Sequence, residues 1–75
     1  MSTTTAAPAW TTAASVVFFT VDDYGEEHSP REEHISRWSL DDLRAHCEAC
    51  GEEAVVLDAR RRTVIRVTNA GKVLS

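Results

Sequence analysis

One segment of this chain marks both of its own ends. Ser39 stands where a helix N-cap belongs, and Asp41 and Asp42 follow in the first turn, where the helix dipole favours carboxylates. Gly51 stands where a left-handed C-cap belongs. Between these signals Leu40, Leu43, Cys47 and Cys50 recur at the spacing of one helix face. A helix this short is not stable by itself in water, so its apolar stripe needs a surface to lie on. The rest of the chain has to provide that surface.

Three runs of β-branched and aromatic residues do so. Residues 15–21, SVVFFTV, are apolar on both faces and predict a central strand. Residues 53–58, EAVVLD, and 63–68, TVIRVT, predict two more, with Ala59, Arg60, Arg61 and Arg62 closing a tight hairpin between them. In the last run Ile65 and Val67 share one face while Val64, Arg66 and Thr68 share the other, the alternation of a half-buried antiparallel strand. The expected fold is a small two-layer α+β domain: a three-stranded, largely antiparallel sheet with the helix packed on one face, in the order β-α-β-β. If its first two strands are parallel neighbours, the helix crossover is expected to be right-handed. Asn69, Ala70 and Gly71 predict a further turn, and Val73 with Leu74 a short edge strand.

Two stretches are less constrained. In residues 26–37, Ser29, Pro30 and the capping-box Glu32 read as the start of a short helical turn, whereas residues 34–38 read as a strand hairpinned to the first. The helical turn is the expectation. Residues 1–14, mostly Thr, Ala and Ser, offer little apolar surface and predict a flexible tail before a single domain over 15–75. Trp10 is the exception within that tail, and it is expected to be loosely held.

At 75 residues, with 43% hydrophobic and 27% charged residues, the chain has the composition of one small globular domain with a thin core. A formal net charge of −4 argues against a general polyanion binder. The distribution says more. Residues 22–53 carry 11 acids against 3 bases, whereas residues 59–75 carry 5 bases and no acid. An acidic region and a basic corner are therefore expected. No early basic cluster precedes an apolar run, so no secretory signal or membrane span is expected, and the predicted location is cytoplasmic, with both cysteines reduced.

Cys47-Glu48-Ala49-Cys50 is the sharpest local motif. A redox dithiol is normally activated at a helix N-terminus, but this one ends a helix among Glu48, Glu52 and Glu53. A zinc site could recruit His28, His34 or His46, yet no second metal-binding pair is present and His46 points about 100° from Cys47 on a helix. Core packing is the expected role of both cysteines, continuing the stripe begun by Leu40 and Leu43. Trp38, beside the N-cap, is likewise expected in the core, and Tyr24 at the margin of the acidic segment.

Arg60, Arg61 and Arg62 could grip phosphates or an acidic patch, but no aromatic residues interleave with them as a stacking platform requires. The pairs Glu26-Glu27 and Glu32-Glu33 could dock a basic partner; as a catalytic carboxylate couple they would need a cleft that a domain this size rarely encloses. The expectation is a non-catalytic protein-interaction or regulatory module, without a cofactor. Its partner-binding candidates are Glu26, Glu27, Glu32, Glu33, Arg60, Arg61 and Arg62, the partner is another protein with a basic surface, and a homodimer is compatible with open sheet edges. Two alternatives stand beside it: a zinc module using Cys47 and Cys50, and anion or nucleic-acid binding through the arginine tip.

Overall fold

The computed structural model describes residues 10–74. The elements run β1 (Ala13–Val21), β2 (Glu27–His34), a 3-10 turn (Ile35–Arg37), helix α1 (Leu40–Cys50), β3 (Glu53–Asp58), β4 (Thr63–Val67) and β5 (Val73–Leu74). The strands form one antiparallel sheet of five, ordered β2-β1-β3-β4-β5, with α1 packed on one face. No helix among the described residues is long and apolar enough to cross a membrane.

The α+β class and the single main helix match expectation, but the sheet has five strands, not three. The main difference is β2. The local helix-start signal at Ser29 and Pro30 loses to pairing with β1, where Phe18 faces Arg31, Val17 faces Glu32 and Val16 faces Glu33. Pro30 is tolerated because β2 is an edge strand and Pro30 falls at the register shift, outside the paired positions. Ser29 adopts φ +54°, next to the register shift opposite Phe18 and Thr20, so it marks a kink and not a helix cap. The helical turn in this stretch is only the 3-10 segment after the strand. Because the β1–β2 hairpin reverses the chain first, β3 lies antiparallel to β1, and α1 crosses from β2 to β3 over the intervening strand. The parallel arrangement considered for the first and second sequence runs does not form.

α1 begins and ends where its sequence signals place it. Ser39 Oγ accepts from the Asp42 N–H at 3.1 Å, and Gly51 takes φ +69° with its N–H bonded to the Cys47 carbonyl. On the sheet face below, Val16 and Phe18 of β1, Ala54 and Val56 of β3, and Ile65 and Val67 of β4 are each at most 1% exposed, and Leu43 and Cys47 close over them. Cys50 departs from its expected core role: it is exposed at the helix end, past the point where the stripe still overlies the sheet. Trp38, Leu40, Ile35 and Val73 pack around the margin.

Of the expected tail, residues 1–9 lie outside the described residues. Trp10 packs against the core, and Ala13 and Ala14 belong to β1, so strand structure starts earlier than the anticipated boundary at Ser15.

Candidate functional site

Three hairpins in the sheet share one construction. In β1–β2, Asp22 donates its N–H to the Glu26 carbonyl, its carboxylate accepts from the N–H groups of Tyr24 and Glu26, and Gly25 sits at φ +81°. In β4–β5, Thr68 bonds Lys72, its hydroxyl accepts from Ala70 and Lys72, and Gly71 sits at φ +80°. In β3–β4, Asp58 bonds Arg62, and its carboxylate accepts from the N–H groups of Arg60 at 2.8 Å and Arg62 at 3.0 Å. The residue equivalent to the two glycines is Arg61, at φ +67°. A side chain there is strained where glycine is free. The bonds from the Arg62 and Arg60 backbone, and the Arg62 guanidinium itself, hold the Asp58 carboxyl below its ordinary range.

From this position Arg61 reaches back across the sheet and donates to Glu32 Oε2 on β2, two strands away. The Glu32 carboxyl is held low by Arg61 first and by the Ser15 hydroxyl second. Both residues belong to the sheet face opposite α1. That face carries half-buried Val17 and Val55, nearly buried Phe19 and Leu57 at 3% and 9% exposed, and a second loose ion pair, Arg66–Glu53, at 3.9 Å. Apolar side chains thus occupy the middle of this face and charged groups its border.

The other flank, where β2 meets α1, is a connected network. Arg31 lies over the Phe18 ring at 4.7 Å and donates to Glu52 Oε2 at 2.7 Å and Glu33 Oε2 at 3.3 Å. Trp38 Nε1 donates to Glu33 Oε1 at 3.1 Å. The rings of Phe18, Trp38 and His46 meet mutually, with centroids 4.9 to 5.2 Å apart. His46 Nε2 contacts Glu52 Oε1 at 2.7 Å, and its Nδ1 lies 3.8 Å from Cys50 Sγ. Arg31 before all else, and His46 after it, hold the Glu52 carboxyl below its ordinary range. Burial pushes the Cys47 thiol up to about 11, with the Glu52 and Glu53 charges adding to it.

The seven sequence-derived candidates therefore divide among several surroundings. Glu32 and Arg61 come together on the open face. Arg60 and Arg62 stand exposed at the β3–β4 tip, Arg62 paired with Asp58. Glu33 serves the flank network and is tied to Arg31 and Trp38. Glu26 and Glu27 sit at the far β1–β2 hairpin. There Glu26, Asp22 and His28 bring metal-type donor atoms within 4.8 Å of one another, the one such trio among the described residues. Cys47 and Cys50 belong to no group of that kind.

Sequence reasoning passed over Arg31, and it weighed His46 only as a metal ligand and Glu52 only as an acid near the cysteines, without connecting the three. Arg31 and Glu52 are far apart in the chain and meet only through the unforeseen β2. A last shallow feature is a cavity of about 150 Å³ at the outer β4 edge, lined by Thr63, Val64, Ile65, Arg66 and Leu74, where β5 covers only the Arg66–Val67 end. No family model, curated protein or solved structure matches the chain.

Proposed function

We propose that this chain is a non-catalytic protein-binding module that docks through the sheet face opposite α1. The observation carrying this reading is Arg61. Two hairpins of the same construction use glycine at the left-handed position, and the third uses an arginine whose strain the turn itself does not require. Backbone strain of this kind is retained where the side chain is needed in one place. Here it sets a guanidinium beside Glu32, at the border of a patch centred on Val17 and Val55. The partner is a protein surface with apolar side chains for the centre and carboxylates that meet Arg60, Arg61 and Arg62, while Glu32 and Glu53 answer its basic groups.

The test places a photo-cross-linking residue at Val17, on the open face, and separately at Ala45, on the outer side of α1, in cells producing the protein. Adducts are expected from Val17, few from Ala45, and Arg61→Gly should remove the Val17 adducts while the chain stays folded. Adducts concentrated at Ala45, or Val17 adducts indifferent to Arg61→Gly, would overturn the reading.

A further inference from the structure

The helix end carries three groups in line that the docking reading does not use. Cys50 Sγ lies 3.8 Å from His46 Nδ1, and His46 Nε2 lies 2.7 Å from Glu52 Oε1. A nucleophile, a base, and a third group orienting the base are the arrangement by which proteins activate a thiol. We propose that Cys50 is a reactive thiol, with His46 as its base and Glu52 as the group positioning that base, and that its substrates are small disulfides.

Geometry supports each role. A carboxylate accepts and cannot donate, so the close contact to Glu52 puts the imidazole proton on Nε2. That leaves Nδ1 with a lone pair facing the sulfur. The ring packs edge-on against the adjoining rings of Phe18, at 4.9 Å, and Trp38, at 5.2 Å, contacts that favour its orientation beside Cys50. Glu52 is fixed in turn by Arg31, which donates to it at 2.7 Å and is anchored by Glu33 and the Phe18 face. The Arg31 contact to His46 Nε2, at 3.4 Å, is the longer of the two polar contacts there. The charged groups linked to the pair are Arg31 and Glu33 from β2 and Glu52 in the α1–β3 connection, with Glu48 two residues before Cys50 on α1 itself. Cys50 is exposed and no wall closes over it, so a small disulfide can approach without a cleft.

The reaction is an exchange. His46 Nδ1 takes the Cys50 proton as the sulfur attacks one sulfur of R–S–S–R. The S–S bond of the reagent breaks, a Cys50–S–S–R bond forms, and the departing R–S⁻ takes the proton to leave as R–SH. Cys50 is oxidised and the released thiol is reduced. In a C-x-x-C pair the second cysteine would normally expel the adduct. Here Cys47 is fully buried in the core cluster alongside Leu43, so it cannot reach the mixed disulfide in the folded chain. The adduct persists until an external thiol removes it.

The experiment uses 4,4′-dithiodipyridine on the native full chain at neutral pH, reading thiopyridone release by absorbance and the adduct position by peptide mass. One equivalent is expected, at Cys50, lost in Cys50→Ser and kept in Cys47→Ala. In the Cys47→Ala background the native chain should react at least about tenfold faster than the same chain unfolded in guanidinium, a modest effect for a placed general base. His46→Gln should remove that advantage at neutral pH and regain the original rate in alkali, where no base is needed. Should His46→Gln fail to fold, Glu52→Gln on a folded chain carries the same test and should slow the exchange. A native rate no higher than the unfolded one, or a rate and pH profile untouched by these substitutions, would overturn the proposal.

Discussion

The two faces of the sheet bury comparable side chains by different means. On the α1 side, Val16, Phe18, Val56, Ile65 and Val67 lie under Leu43 and Cys47, and no charged group takes part in the buried cluster. On the other side no helix or strand is packed over Val17, Val55, Phe19 and Leu57 among the described residues; the charged groups of that face are the Arg61–Glu32 pair and the looser Arg66–Glu53 pair. Aliphatic stems of charged side chains exclude water from apolar neighbours while keeping their heads wet. The first face is a core. The second is a surface that has been drawn together but can be reopened, which suits docking in a way the first does not.

The largest effect should come from the lid. Leu43→Ala removes a fully buried side chain with little room to collapse, and should cost about 3 kcal/mol in denaturant unfolding. Val17→Ala on the open face, with less area to lose, should cost about 1 kcal/mol. Equal losses at the two positions would erase the distinction between the faces. Next comes Gly71→Ala. Gly71 is at φ +80°, and a Cβ there would sit 3.1 Å from the Arg44 carbonyl oxygen, whose own guanidinium donates to the Gly71 carbonyl at 3.0 Å. This turn braces α1 against the sheet, so the substitution should cost about 1–2 kcal/mol. A neutral result would mean that the brace adds nothing to the covered face.

The covered face was legible in the sequence because its elements are defined locally. Ser39 and Gly51 bound α1 by cap chemistry, and Ile65 and Val67 alternate with Arg66 as an antiparallel strand must. β2 was not legible. Its residues EHSPREEH contain no apolar residue at the positions facing α1, because Arg31 and Glu33 stand there and are satisfied by Glu52 and by Trp38. A strand whose inward side chains are charged has no periodic hydrophobic signal, and its partners become visible only after folding. Cys50 was misplaced for a related reason: helical spacing says which side a residue points to, but not where along the helix the sheet beneath it ends. The Arg61–Glu32 contact joins a tip read as basic to a stretch read as acidic, a link that net charge per segment conceals.

The flank where β2 meets α1 lies between the two regimes, being charged yet partly buried. The Glu52 side chain is 14% exposed, and Arg31 and His46 keep its carboxyl below the ordinary value of 4.5. The folded chain therefore binds fewer protons at this site than the unfolded chain does. The stability it contributes is complete above the unfolded value and is lost as pH falls through the lower folded one. Glu52→Gln should cost about 1 kcal/mol at neutral pH, and the difference from the original chain should shrink as unfolding is measured at successively lower pH. A cost that stayed constant down the acid limb would show that Glu52 acts by shape and not by charge.

The smallest effect on stability should come from the residue given most weight in function. Arg61→Gly relieves φ +67° at a position where the two sister hairpins already carry glycine, and it gives up an ion pair whose side chains are 62% and 41% exposed. Exposed pairs contribute little and are screened by salt, whereas relief of a left-handed side chain favours the folded state. The variant should unfold at the same denaturant concentration as the original chain or a higher one, and molar salt should widen any gain by weakening the pair only in the original. At the same time the open face should lose its tether between the β3–β4 tip and β2, read as faster amide exchange in β3 than in the helix-covered β4 residues Ile65 and Val67. A substitution that leaves the fold intact while uncovering the open face separates the two halves of the comparison. If Arg61→Gly instead melts the sheet, the arginine is a structural strut, and the strain at its backbone marks no docking surface.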